Sequence, residues 1–345
     1  MEYRQLGESE LQVSEIGLGT MTFGQQNTLE ETHQQLDCAL FHGVNFIDAA
    51  EMYPVPARQE TQGLTEEFIG KWLTRKQRDR LVIATKIAGP SRHLNWIRNG
   101  PKAIDRPNIE QAVNDSLKRL QTDYIDLYQI HWPDRYVPLF GQTAFDPRQI
   151  RDTVPIAEQL ASFADLIKAG KIRYLGLSNE TPWGVAQFCQ VARQLGLPKV
   201  VSIQNAYNLI NRVFETALAE VCYYENLGLL AYSPLGFGSL TGKYLHEKPA
   251  SARLTLFPGF GQRYSKPNVD VAVMEYGAIA RQYNLSPVSL ALAFVRQQWF
   301  VSSTIIGATT LTQLEENLAS LQVSLSPEIL AEINRIHNRY PNPAP

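Results

Sequence analysis

Short apolar runs alternate along this chain with longer segments whose apolar residues return every three or four positions, and this alternation constrains the fold more than any other feature. It is the pattern of βαβ units, in which crossover helices join parallel strands. Eight runs read as strands: residues 15–19, 44–48, 81–86, 124–131, 172–178, 200–205, 228–233 and 303–306. A hairpin over residues 3–6 and 11–13, turning through Gly7-Glu8-Ser9-Glu10, precedes the first. The segments between predict helices over 29–42, 64–74, 108–120, 156–169 and 183–195. Their punctuation agrees: Pro107, Pro155 and Pro182 stand at three starts, and Gly43, Gly170 and Gly196 just past three ends.

Eight strand–helix repeats predict an α/β chain folded as a closed (β/α)8 TIM barrel with an N-terminal β-hairpin, in which no strand is left as an exposed edge. A length of 345 residues would suggest two domains at roughly 150 residues each, but barrels use about 250 or more as one unit. The chain therefore reads as one domain over residues 1–345. A doubly wound open sheet is the competitor, yet neither Gly17-Leu18-Gly19 nor Gly236-Phe237-Gly238 has the third glycine of a dinucleotide-binding GxGxxG at its proper spacing. Three loops are long, 88–106, 133–155 and 234–268. Each follows a strand, which in a barrel puts it on the C-terminal face where active sites are built.

Charge and composition exclude several partners. With 32 basic against 34 acidic residues and a formal charge of −2, the chain offers no basic field to a nucleic acid or an anionic membrane. The start, MEYRQLGESE, does not read as a secretory signal. The charge-free runs 226–242 and 297–314 are broken by Gly, Ser and Thr and fall short of the ~20 apolar residues of a spanning helix. Cys38, Cys189 and Cys222 are odd in number, far apart and inside helical patterns, which argues for free thiols in a reducing cytoplasm. Without HExxH or a close His or Cys pair, no metal is expected.

In a barrel the residues that end each strand converge on one site. Here they are Asp48, Lys86, His131, Ser178, Gln204 and Tyr232, with Tyr53 five residues beyond Asp48. The set suits reversible proton transfer to a carbonyl oxygen. A phenol is a poor acid near pH 7, with a reference pKa of about 10, and a neighbouring ammonium such as Lys86 would lower it. Lys86 would need Asp48 as its counter-charge once desolvated, and His131 could orient the carbonyl or relay a proton. Taken singly each has a plainer explanation: a capping aspartate, a surface lysine, a packed tyrosine, a rim histidine. Together they would be four coincidences on strands 2 to 4 or the adjoining loop.

The chain resembles the aldo-keto reductases, and among them the Tas-type bacterial members. The resemblance rests on GLGTMTFG (17–24), FIDAAEMY (46–53), ATK (84–86), DSLKRLQTDYIDLYQIHWPD (115–134), GKIRYLGLSN (170–179), AYSPLGFGSLTGKY (231–244) and IIGATTLTQLEENL (305–318) in that order. It implies an NADPH-dependent reductase with Tyr53 as general acid and Asp48, Lys86 and His131 completing a tetrad. It implies that Ser178, Asn179 and Gln204 hold the nicotinamide carboxamide over Tyr232, and that Thr20 and Met21 lie near its ribose. Ser233, Pro234, Leu235, Gly238, Leu240 and Lys243 match the loop around the pyrophosphate. Near strand 8, Gly307 and Gln313 stand where many members grip the 2′-phosphate with a lysine and an arginine, Thr309 is a further cofactor contact that the resemblance implies, and Glu316 and Asn317 keep the adenine pattern. Arg253 falls where members without that lysine carry an arginine, and a guanidinium suits a phosphate. NADPH is thus expected over NADH.

The substrate side is less defined. Phe23, Trp96, Trp132, Tyr136 and Phe140 lie on loops that could form an apolar mouth, and no basic cluster announces an anionic substrate, so a small neutral aldehyde or ketone is expected. Two other readings remain open. One is a cofactor-binding regulatory or sensor subunit resembling the potassium-channel beta subunits, which as a rule carry asparagine where this chain has His131. The other is an unrelated barrel enzyme gripping phosphate at strands 7 and 8, which would leave Tyr53 and Lys86 idle. The tail over residues 340–345, with three prolines, cannot continue a helix and would fold over the pocket or dock on another subunit.

Overall fold

Alternation with a period of two along each strand decides which residues meet at the centre of this molecule. The computed structural model describes residues 1–91, 93–100 and 103–345. Strands β1 (Tyr3–Gln5) and β2 (Gln12–Ser14) form the expected antiparallel hairpin. Strands β3 (Ile16–Gly19), β4 (Phe46–Asp48), β5 (Val82–Ile87), β6 (Ile125–Ile130), β7 (Ile172–Ser178), β8 (Val200–Ala206), β9 (Gly228–Tyr232) and β10 (Val301–Ile306) are paired in sequence, and β10 returns to β3. Every one of these pairings is parallel, so the eight strands make a closed (β/α)8 barrel.

The helices after the first strands fall within two residues of the expected bounds: α1 (Leu29–Phe41), α2 (Leu64–Leu73), α3 (Arg106–Leu120), α4 (Ile156–Lys168) and α5 (Pro182–Leu195). Local chemistry sets their starts. Thr28 and Glu31 form a reciprocal capping box on α1. Asp105 caps α3 by accepting from the Asn108 amide, which moves that start upstream of Pro107. Then follow α6 (Leu218–Tyr224), the short α7 (Arg253–Leu256), α8 (Val269–Gln282), α9 (Pro287–Arg296), α10 (Leu311–Ala319) and α11 (Pro327–Arg339). None of the described helices is long and apolar enough to cross a membrane.

Inside the barrel, Phe46, Val82, Ala84, Leu127, Val201, Leu230 and Ile305 pack with Leu6, Leu11 and Val13 of the hairpin. The hairpin thereby plugs the N-terminal mouth with apolar side chains. A Cβ on Gly17 would stand 2.5 Å from the Phe46 ring, so a glycine on β3 is what lets Phe46 fill the interior. One pleat further along the same inward faces come Asp48, Lys86, Gln129 and Tyr232. The barrel is thus apolar at one end and polar at the other, where the long loops lie. The tail turns back on its own chain: Ala344 is fully buried and donates its N–H to the Ile210 carbonyl at 3.0 Å, while Asn342 accepts from the Arg212 amide.

Candidate active site

The polar layer is built around one buried ion pair. Lys86 Nζ donates to Asp48 Oδ2 at 2.6 Å and to the Ala49 carbonyl at 2.7 Å, and both side chains are out of solvent. The other carboxylate oxygen of Asp48 accepts from Gln204 at 2.8 Å and from Gln129 at 3.1 Å. Three partners on three other strands therefore fix this carboxylate, which is how a buried charge is kept without prohibitive cost. Tyr53 sits on the loop after β4. Its N–H donates to the Ala50 carbonyl and its carbonyl accepts from Gly63, so its backbone is held from both sides. Its ring lies 5.1 Å from Lys86 Nζ and meets the His131 ring edge-on at 5.7 Å between centroids. The four residues expected to form the tetrad are thus adjacent.

Their electrostatics differ from the expectation in one respect. The Tyr53 phenol is held well above its usual 10, first by burial and then by the Asp48 carboxylate. The Arg253 guanidinium opposes that rise. Burial also lowers the Lys86 pKa, which Asp48 opposes. Burial and then the Lys86 charge drive His131 well below its usual 6.5. At neutral pH the site therefore holds a protonated phenol beside a neutral imidazole whose buried Nδ1 has no partner among the described residues.

A cavity of about 880 Å³ opens above this layer. Thr20, Met21, Ser178, Asn179, Gln204, Tyr232, Ser233, Pro234, Leu235, Gly238, Lys243, Arg253, Gly307, Thr309, Gln313, Glu316 and Asn317 all border it, as do Asp48, Tyr53 and His131. Leu240 does not: it is buried in the core, its N–H tied to the Leu235 carbonyl. Tyr232 donates its hydroxyl to Asn179 Oδ1 at 2.7 Å, and Asn179 Nδ2 donates to the His131 carbonyl at 2.9 Å, so the floor and the tetrad are one network. Gln313 accepts from Thr309 through both its N–H and its hydroxyl, which shapes the loop after β10. Lys243 and Arg253 face this cavity, and among the described residues neither has a carboxylate within ion-pair distance. Burial, then Arg253, lowers the Lys243 pKa, and Arg253 is lowered first by burial. Two such cations beside an open cavity fit the phosphates of a dinucleotide, which would relieve their repulsion through charge-assisted hydrogen bonds.

The apolar mouth needs correction. Trp132 and Phe140 line the cavity, but Phe23 does not. It is fully buried under α2, where its carbonyl accepts from Thr65. Trp96 also lies off the cavity, in a satellite cluster with Leu94, Ile97 and Trp132 beneath the loop after β5, and Tyr136 pairs with Phe145 instead. Three contributors went unnoticed in the sequence. Gln129 braces Asp48; an amide two residues beyond Leu127, on the same inward face of β6, was its signal. Glu51, two residues before Tyr53, is buried and pairs with Arg98 at 2.7 Å while accepting from the Ala88 amide. Arg263, buried and on the cavity wall, is the third. Among the described residues there is no cluster of metal-binding side chains.

Comparison with known proteins gives a consistent result. The profile of the Aldo/keto reductase family matches residues 15–338. The chain is 52% identical to Protein tas of Escherichia coli (strain K12) over the whole of both chains. It is 42% identical to an aldo-keto reductase of Babesia bovis, covering 76% of this chain and 98% of that one. It is 31% identical to a probable voltage-gated potassium channel subunit beta of Oryza sativa subsp. japonica, covering 97% and 96%.

Proposed function

Because the chain belongs to the aldo/keto reductase family, we propose that it reduces the carbonyl group of an aldehyde or ketone to an alcohol, with NADPH preferred to NADH. Bound NADPH would supply the hydride that reaches the carbonyl carbon. The remaining work falls to the chain. Tyr53, kept protonated, delivers its proton to the carbonyl oxygen as negative charge develops there. The Lys86 ammonium, 5.1 Å from the phenol ring, favours the phenolate as the proton leaves, and Asp48 keeps that ammonium charged and in place. Neutral His131 lies at the edge of Tyr53, where its imidazole can donate to the same oxygen. Tyr232, Ser178, Asn179 and Gln204 would hold the nicotinamide over the tetrad, and such positioning converts binding energy into rate. Lys243 and Arg253 would take the phosphates.

The observation that carries this reading is the packing of Tyr53 against both His131 and the Lys86–Asp48 pair at the floor of one cavity. It also favours catalysis over a regulatory role, for which the resemblance led us to expect asparagine in place of His131. The test is NADPH oxidation followed over a panel of aldehydes, ketones and quinones. Tyr53→Phe should lower kcat by about 10²–10⁴-fold while NADPH still quenches protein fluorescence with an unchanged Kd. A variant with full activity, or a wild-type protein that turns over no carbonyl, would refute it.

A further inference from the structure

Of the three long loops expected to build the site, two border the cavity, the one after β6 through Phe140 and the one after β9 through Lys243 and Arg253. The loop after β5 does not: none of its described residues lines it. Its end is nevertheless strained, because Arg98, Asn99 and Gly100 follow one another at φ values of 46°, 57° and 95°. Left-handed backbone at two successive residues that carry side chains is costly, and it persists only where surrounding contacts over-determine it.

Those contacts belong to the Arg98 side chain. It is 2% exposed, and its Nη2 and Nε donate to the two carboxylate oxygens of Glu51 at 2.7 and 3.2 Å. Nη2 also donates to the Ala88 carbonyl at 3.0 Å, just past β5, and Nη1 to Asn108 Oδ1 at 2.7 Å, in the first turn of α3. Glu51, equally buried, accepts from the Ala88 N–H as well. Such a forked, charge-assisted pair fixes direction as well as distance.

Its grip falls on the turn that presents Tyr53. The Tyr53 N–H closes that turn onto the Ala50 carbonyl at 3.0 Å, with Glu51 and Met52 at its corners. Both corners are held from the β5 side, Glu51 by Arg98 and Met52 by the apolar cluster that includes Leu94 and Ile97. Neither Glu51 nor Arg98 borders the cavity. We propose that Arg98 is a positioning residue for carbonyl reduction: through Glu51, the loop after β5 sets the placement of the Tyr53 phenol against Lys86 and His131. This rests on the reductase reading above. It gives the third long loop a role in the chemistry without any contact to substrate or cofactor.

The test follows NADPH oxidation with 4-nitrobenzaldehyde. Arg98→Lys keeps the charge but not the fork. It should lower kcat by about 10- to 100-fold, as a small misplacement of a reacting group does, while KM and the NADPH Kd stay within twofold. Glu51→Gln, which still accepts from the Ala88 N–H, should lose as much. In a Tyr53→Phe background Arg98→Lys should change the residual rate by less than twofold, because the group it positions is gone. Equal losses in both backgrounds, or a raised KM or NADPH Kd, would overturn the proposal. Should one unpaired buried charge unfold the barrel, the double variant Glu51→Leu with Arg98→Met removes both charges. It should fold, by circular dichroism, and show the same loss of kcat; a wild-type kcat in it would overturn the proposal too.

Fluorine NMR of protein carrying 3-fluorotyrosine reads the ring without turnover. The resonance that Tyr53→Phe deletes should be one narrow line in the wild type and should shift or broaden in Arg98→Lys. If the wild type reduces no carbonyl but this line moves, the positioning of Tyr53 stands without the reaction. If carbonyls are reduced and Arg98→Lys keeps both its kcat and the line, the reaction stands without the positioning.

Discussion

Burial sets the protonation states of Tyr53 and His131 in opposite senses, and a pH profile reads both. His131 is held below its usual 6.5 and is neutral above that pH, whereas Tyr53 is held above its usual 10 and keeps its proton below that pH. Between these limits neither group changes state. The single-turnover rate of carbonyl reduction should therefore be level from pH 6.5 to 10 and fall only above it, as the phenol loses the proton it must donate. A stopped-flow profile that bends near neutrality would show that one of the two titrates there. A second residue-scale prediction concerns Arg253, which has Met21 Sδ at 3.7 Å and no carboxylate within reach among the described residues. If it receives the 2′-phosphate, Arg253→Ala should raise the NADPH Kd by about 10- to 100-fold, as loss of a charge-assisted contact does, and leave the NADH Kd nearly unchanged. Equal losses for both cofactors would place Arg253 elsewhere.

At the scale of elements, the strands were legible because each is a short apolar run, and their ends pointed to Asp48, Lys86, His131 and Tyr232 because one inward face per strand leads from the core to the site. The pleat shows why: Phe46 and Asp48, Val82 with Ala84 and Lys86, and Leu127 with Gln129 each share a face, apolar first and polar last. What escaped was whatever depended on loop conformation. Phe23 and Trp96 are aromatic and loop-borne, like Trp132 and Phe140, and no periodicity says which of the four turn toward the cavity. Arg98 and Arg263 find their places through turns, Arg98 itself at a φ of 46°. The hairpin lies between these cases, visible as two strands but not as a plug. Its Leu6 is fully buried among the barrel residues, at the end away from the cavity. Leu6→Ala should cost about 2–5 kcal/mol of stability in denaturant titration and leave kcat/KM within twofold. A tenfold loss of activity in the folded variant would show that the plug also shapes the site.

For the whole molecule, the cavity draws its walls from nearly every loop at one end of the barrel. Met21 follows β3, Tyr53 β4, His131 β6, Asn179 β7, Lys243 β9 and Thr309 β10, and the tail returns to pack Ala344 against the chain after β8. Beneath that ring the barrel closes β10 on β3, and one core cluster draws on strands and helices from Ile16 to Ala344. We therefore propose that residues 1–345 unfold as one unit, and a ligand that spans the cavity should stabilise all of it. At a free concentration of about 100 times its Kd, NADPH would add ~2.7 kcal/mol. With an unfolding entropy of about 2 cal/mol/K per residue, this raises Tm by ~4 °C. Calorimetry should show a single transition that moves whole when NADPH is added, and moves less in Arg253→Ala at the same concentration. Two transitions, only one of them shifted by NADPH, would mean that part of the chain folds apart from the site.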